Sequence, residues 1–272
     1  MKKYEFTGEV QDIAGTTLHR IRALRDIPEH GVKSGDLGGW VEKEANLSHD
    51  GSAWVSGEAC VYDSACVSGS AWVYDSAQVT DSACVYDSAR VCCSAFVFGL
   101  ARVTGSACVT GHSWVYGEAC VSGSACVTDS TRVFGSACVS GEACVCCLAW
   151  VSGEARVSGS ARVTGKARVT GKARVSGSAR ISDSARVSGK AWITSTSDYI
   201  TIGAIGSRDY TTTFYRGADG KIYVSCGYFN GDIDQFDQSV RTTHAGTKHE
   251  KTYLLAIELA KAQIGTTEEE KQ

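Results

Sequence analysis

The chain has little that would interrupt a regular pattern. One proline and one methionine stand among 272 residues, against 30 glycines and 13 cysteines. Such a bias points to repetition, so a period is the first thing to test. No apolar stretch approaches the length of a membrane-crossing helix. The opening MKKYEFTGEV carries two lysines with no apolar run behind them, so no secretory signal is read there. No membrane association is expected, and the cytoplasm, of a cell or of an infected cell, is the expected compartment. Its cysteines should be mostly reduced, and an odd count also argues against a complete disulfide framework.

The middle of the chain also lacks apolar residues at 3.6 spacing, which excludes an amphipathic helix there. It has a period of six instead. From Val55 an aliphatic residue recurs at every sixth position, through Val61, Val67, Val73 and Val79 to Val187 and Ile193, giving 24 positions in register. Two residues before each stands a small residue, almost always alanine; Ser113 and Thr131 are the exceptions. Val41 and Leu47 fit the same frame if two residues are inserted around His49-Asp50. Within a repeat, A-x-V-x alternates inward and outward as a short strand does. The next two residues, Gly or Asp and then Ser, Glu or Lys, make a corner where positive φ is tolerated. Three strand-corner units close one triangular coil of 18 residues. Eight such coils stack to roughly 38 Å at about 4.8 Å per strand.

This Val/Ala hexad resembles the hexapeptide-repeat proteins, over about half the chain. The resemblance implies an all-β solenoid, a left-handed parallel β-helix, over residues 41–193. It also implies self-association, typically as a trimer through flat faces. Residues 1–40 read as an N-terminal β-hairpin cap, with strands at Tyr4 to Val10 and Thr17 to Leu24 around Ala14-Gly15. The lead-in GDLGGWVEKEANLS, Gly35 to Ser48, resembles that of uncharacterised hexapeptide-type proteins of bacteria and their phages. Residues 194–265 read as a small α+β domain. It has a hairpin, Thr211 to Arg216 with Lys221 to Cys226, and helices at Asp232 to Arg241 and Lys248 to Ile264. GSRDYTTTFYR through GDIDQFDQSVRTTH resembles a C-terminal module of uncharacterised phage-associated proteins. Residues 266–272 read as a flexible tail.

Positions 18 apart share a face, so the outward residues form columns. One face carries Phe96 with Phe98, Trp114 with Tyr116, Arg132 with Phe134, and Trp150, with Tyr62 further up. This aromatic strip reads as an interface. Cysteines form two columns, Cys108, Cys126 and Cys144 with Cys146 beside the last, and Cys66, Cys84, Cys120 and Cys138, broken by Arg102. A flat ladder converges poorly on a tetrahedral zinc, so these read as small fillers and no metal or other cofactor is expected. The doublets Cys92-Cys93 and Cys146-Cys147 fall 54 residues apart on one corner, and the pattern alone gives them no role. Residues 41–153 hold eleven acids and four bases; residues 154–192 hold nine bases and two acids. The basic set, Arg156, Arg162, Lys166, Arg168, Lys172, Arg174, Arg180, Arg186 and Lys190, forms a collar on all three faces. Like charges stacked at strand spacing disfavour one another, so an anion is the natural complement: an acidic subunit surface, the C-terminal domain, a phosphorylated ligand or nucleic acid.

Enzyme motifs are largely missing. There is no phosphate-cradling loop, nucleophile elbow or paired-carboxylate motif, and residues 55–193 carry no inserted loop. Hexapeptide-repeat proteins are often acyltransferases with a catalytic histidine, and His112, at a corner with Glu118 one repeat later, is the one candidate base in that stretch. His19, His30, His49, His244 and His249 show no metal-ligand spacing. Ice binding would need a uniform threonine face, whereas here Thr and Ser alternate with Cys and Arg. The sequence reads as a non-catalytic scaffold that self-associates through the aromatic face. The alternatives are a binder of nucleotides or nucleic acid through the basic collar, and an acyltransferase.

Overall fold

The structure is a computed structural model and describes residues 2–265; the expected flexible tail, 266–272, lies outside the described residues. The chain divides into two compact units between Cys147 and Leu148. Both contain hexad rungs, so the division falls within the repeat array rather than at its ends.

In the first unit the strand Tyr4–Ile13 pairs antiparallel with Thr16–Ala23. The turn runs through Ala14 and Gly15, both at positive φ. Thr16–Ala23 pairs antiparallel with Leu37–Val41, which in turn pairs parallel with Cys60–Val61. The third cap strand therefore serves as the first rung of one solenoid sheet. Gly38 and Gly39 are required by this approach: a Cβ on Gly38 would lie 2.7 Å from the Val55 carbonyl oxygen, and one on Gly39 would lie 2.6 Å from that of Ala59. Register Val41↔Val61 and the bridge Leu47↔Val67 both span twenty residues, which confirms the two-residue insertion read near His49.

Sixteen two-residue strands follow in this unit, from Trp54–Val55 to Cys144–Val145. Within the unit, rungs pair with the strand eighteen residues on, as in Phe96↔Trp114 and Val97↔Val115. The inward Val and Ala side chains are fully buried. Ser113 and Thr131 occupy alanine positions because each hydroxyl donates to a carbonyl three residues back, Thr110 and Thr128, at 2.6 Å. Corner residues sit at positive φ, as at Gly57 (66°) and Asp75 (59°). Aspartate does more than tolerate this conformation. Its carboxylate accepts the backbone N–H of the next coil's corner, as Asp81 does from Gly99 at 2.9 Å and Asp129 from Cys147 at 2.9 Å. Each such bond ties successive coils together at a site where the rung ladder itself has ended.

The second unit holds eight further rungs, Trp150–Val151 to Trp192–Ile193. A four-stranded antiparallel sheet follows, in the order Tyr199–Ile205, Tyr210–Arg216, Ile222–Cys226, Phe229–Asp232. Helix α1, Ile233–Thr243, starts on a capping box between Asp232 and Gln235, and α2, Lys248–Ile264, buries the expected stripe Tyr253, Ala256, Ile257, Ala260 and Ile264. Phe214, Val224, Phe236 and Val240 complete that core. The outer strands of the sheet were not expected from the sequence. Residues 199–205 lack strict alternation, and Phe229–Asp232 is short and mostly polar.

Similar devices terminate the rungs in the two units. Near the start, a 3-10 turn at Glu44–Asn46 buries Asn46, whose amide donates to the carbonyls of Asp63 and Ala65 and whose oxygen accepts from Lys43 N–H. At the far end a 3-10 turn at Thr196–Asp198 buries Asp198. Burial opposes charge on this carboxylate. Donation from the Thr194 and Ser195 N–H groups, the Thr194 hydroxyl and Arg216 outweighs that and holds it below the usual range. Lys3 is buried and donates to the Ala53 carbonyl at 2.6 Å. Burial foremost, then nearby Arg25, lowers its pKa to about 8.

These two groups generate opposite pH dependences. Asp198 contributes stability above the ordinary aspartate range, near pH 4, that is lost as pH falls through its depressed folded value. In urea melts, Asp198→Ala should cost about 3 kcal/mol at neutral pH because several donors lose their acceptor, and Asp198→Asn should flatten the acid limb. For Lys3 the unfolded chain binds the extra proton between about pH 8 and 10.5, so stability should rise across that window. Lys3→Met should remove the rise while raising the melting temperature at pH 7.

Candidate functional site

The expected aromatic strip is built by the rung spacing. Phe96, Trp114 and Arg132 are aligned residues on successive rungs of one sheet, with Phe98, Tyr116 and Phe134 two positions on in each. Parallel strands lie about 4.8 Å apart, close to ring-stacking distance. Phe98 stacks on Tyr116 with centroids 4.8 Å apart and planes 5° apart, and Tyr116 stacks on Phe134 at 5.0 Å and 3°. Phe96 stacks on Phe98 at 4.6 Å, and Trp114 stands edge-on to both. The Arg132 guanidinium lies 5.2 Å from the Trp114 ring. Trp114 remains 41% exposed, while the phenylalanines and Tyr116 are half-buried against one another. The result is a flat, rigid apolar ribbon with a cation at its margin.

Other aromatic residues of the repeats are used differently. Tyr62 packs against the cluster of Leu18, Trp40 and Cys60 under the cap, so it belongs to the N-terminal core rather than to the ribbon. Trp54 is fully buried, and Trp72 stacks between His30 and Tyr74. Trp150 lies in the second unit, half-buried, with the Arg168 guanidinium 4.5 Å from its ring.

The basic residues also fall where the repeat places them. Arg156 aligns with Arg174, Arg162 with Arg180 and Arg168 with Arg186, on three sheets, and all six are exposed, as are Lys166, Lys172 and Lys190. Several have complements within the chain. Arg174 lies 5.7 Å from the Trp192 ring, Lys172 pairs with Glu154 at 3.8 Å, and Arg186 donates to the Gly227 carbonyl at 3.2 Å. An aromatic face thus moderates the repulsion that stacked arginines would otherwise suffer.

His112 is exposed at its corner, and the Glu118 carboxylate accepts from Ser136 one coil on at 3.0 Å. No orienting acid is brought to the imidazole by this bond pattern. Other histidines serve in packing: His49 stacks on Tyr4 at 4.4 Å and His19 on Phe6 at 4.9 Å. The cysteine columns form as read, with Cys108, Cys126 and Cys144 on successive rungs. All thirteen cysteines are free thiols.

One feature escaped the sequence. A cavity of about 310 Å³ opens in the C-terminal domain, lined among others by Arg208, Tyr210, Tyr228, Phe236, His244 and Tyr253. Among the described residues its walls carry a guanidinium and no carboxylate. The Tyr253 hydroxyl is pushed up to about 12, by burial first and then by Cys226 beside it. Residues from three strands, a turn and two helices meet here, a convergence that no local pattern encodes. The density of aromatic residues between 210 and 253 was the available signal.

Among the described residues no helix is long and apolar enough to cross a membrane. No protein-family model matches the chain, and a search of curated proteins returns no match.

Proposed function

We propose that the chain is a non-catalytic scaffold that assembles with further copies of itself through the aromatic ribbon. The ribbon is the observation that supports this reading. Five rings from Phe96 to Phe134 touch in series, and their geometry is set by the sheet before any partner arrives. Rings already held in place lose little conformational freedom on association, which lowers the cost of binding. A contiguous apolar patch of this kind is characteristic of an interaction surface.

Charge argues for a second copy as the occupant. Residues 41–153 carry eleven acids against four bases, and residues 154–192 nine bases against two acids. The acidic stretch of one copy is complementary in charge to the basic stretch of another. The resemblance to hexapeptide-repeat proteins adds the expectation of a trimer, and thirteen free thiols support a reducing compartment such as the cytoplasm of a bacterial or phage-infected cell. Capture of a phosphorylated ligand is the less supported reading, since Arg168, Arg174 and Arg186 each have a partner within the chain.

Native mass spectrometry of the full chain at micromolar concentration tests the proposal. A defined homo-oligomer is expected. Trp114→Ser combined with Phe134→Ser should weaken it by about a hundredfold or more, as loss of aromatic anchors does, with the β-sheet circular dichroism unchanged. A wild-type monomer would refute self-association. A retained nucleotide or oligonucleotide, lost on Arg162→Glu with Arg180→Glu, would shift the assignment to the basic collar.

A further inference from the structure

The vicinal cysteines occupy a position that the fold makes costly for them. Every corner from residue 57 to 189, at six-residue steps, is Gly or Asp except two, Cys93 and Cys147. Both sit in the left-handed region, at φ 62° and 67°. Glycine takes that conformation freely and aspartate compensates with hydrogen bonds, whereas a cysteine backbone there costs roughly 1–2 kcal/mol. The residue just before each of these corners is also cysteine in only two places, Cys92 and Cys146, and they are the same two places. In both, the corner one coil earlier is aspartate, Asp75 or Asp129.

The side chains converge. The sulfurs of Cys92 and Cys93 are 3.8 Å apart, and those of Cys146 and Cys147 are 3.7 Å apart. In each cluster the two sulfurs and a carboxylate oxygen all lie within 4.8 Å of one another. Tetrahedral zinc with bonds of about 2.3 Å to sulfur requires a sulfur–sulfur separation of about 3.8 Å. The cysteine columns on the flat faces lack this convergence, because a ladder aims its thiols side by side. The corner turns two adjacent thiols toward one point and brings the stacked aspartate to the same point. The Cys93 and Cys147 thiols are exposed, which leaves an entrance from solvent.

We infer that Asp75 with Cys92-Cys93, and Asp129 with Cys146-Cys147, form two equivalent binding sites for a thiophilic divalent cation of the zinc or cadmium class. Sulfur ligands favour soft cations, and hard cations such as calcium gain little from them.

Titration of the reduced, chelator-treated full chain with cadmium, read by thiolate-to-cadmium charge-transfer absorbance and by competition with zinc, tests this. Two equivalents are expected. Cys93→Gly and Cys147→Gly should each remove one, and glycine already fills this corner position elsewhere, so the backbone tolerates it. Asp129→Asn should weaken the second site by about tenfold or more, and Cys120→Ser with Cys138→Ser should leave both equivalents in place. Unchanged stoichiometry in the Cys93→Gly, Cys147→Gly double variant, or no binding at micromolar cadmium, would overturn the assignment. A single equivalent removed by Cys147→Gly alone would overturn the Asp75 site.

Discussion

The positive-φ corner is the constraint on which the rest depends. A two-residue strand forms too few hydrogen bonds to persist alone, and a chain that must bend sharply after every such strand needs a residue that accepts the left-handed region at each bend. Glycine and aspartate meet that need for different reasons, one by lacking a Cβ and the other by bonding across to the next coil. With corners set, every rung falls opposite its neighbour, alanine and valine fill the interior, and the outward residues line up in columns. Faces, ladders and clusters are all consequences of that alignment.

Much of this was legible in the sequence because a strict period needs no long-range information. The 24 rungs, the buried Val and Ala positions, the composition of the corners, and the alignment of Phe96 with Trp114 or Arg156 with Arg174 all follow from counting in eighteens. Where the period stops, legibility falls. Tyr62 has the same sequence context as a ribbon residue, yet the cap covers it, and nothing within its hexad records that a hairpin forty residues earlier will pack there. The outer strands of the C-terminal sheet were missed because their apolar pattern is weak, and their place is decided by strands already formed. The C-terminal cavity depends on how helices meet a sheet. The two ends of the rung array depend on single buried polar groups, Asn46 and Asp198, that look unremarkable among other Asn and Asp residues.

The cysteines show how one residue type takes different roles in one fold. On a flat face Cys108, Cys126 and Cys144 fill space between neighbouring rungs, and burial raises the Cys108 and Cys126 thiols above their ordinary value. At a corner the same side chain accepts backbone strain and points at its neighbour. The tryptophans divide in a similar way. Trp54 is core, Trp72 is packed against the cap, and Trp114, Trp150 and Trp192 each hold an arginine against an indole face. A residue's role here is set by its column and by what stands one coil away, more than by its own identity.

The eighteen-residue register also bears on how the length of such a chain can change. Removing or duplicating eighteen residues between Val61 and Val139 would restore every backbone partnership with a like one, since each coil offers the same donors and acceptors at the same angles. A change of six residues would instead slide every later column onto a different face relative to the columns before it, and made between Phe98 and Trp114 it would break the run of stacked rings. Length in this molecule is therefore quantised: whole coils can be gained or lost at little cost, and fractions of a coil would be selected against.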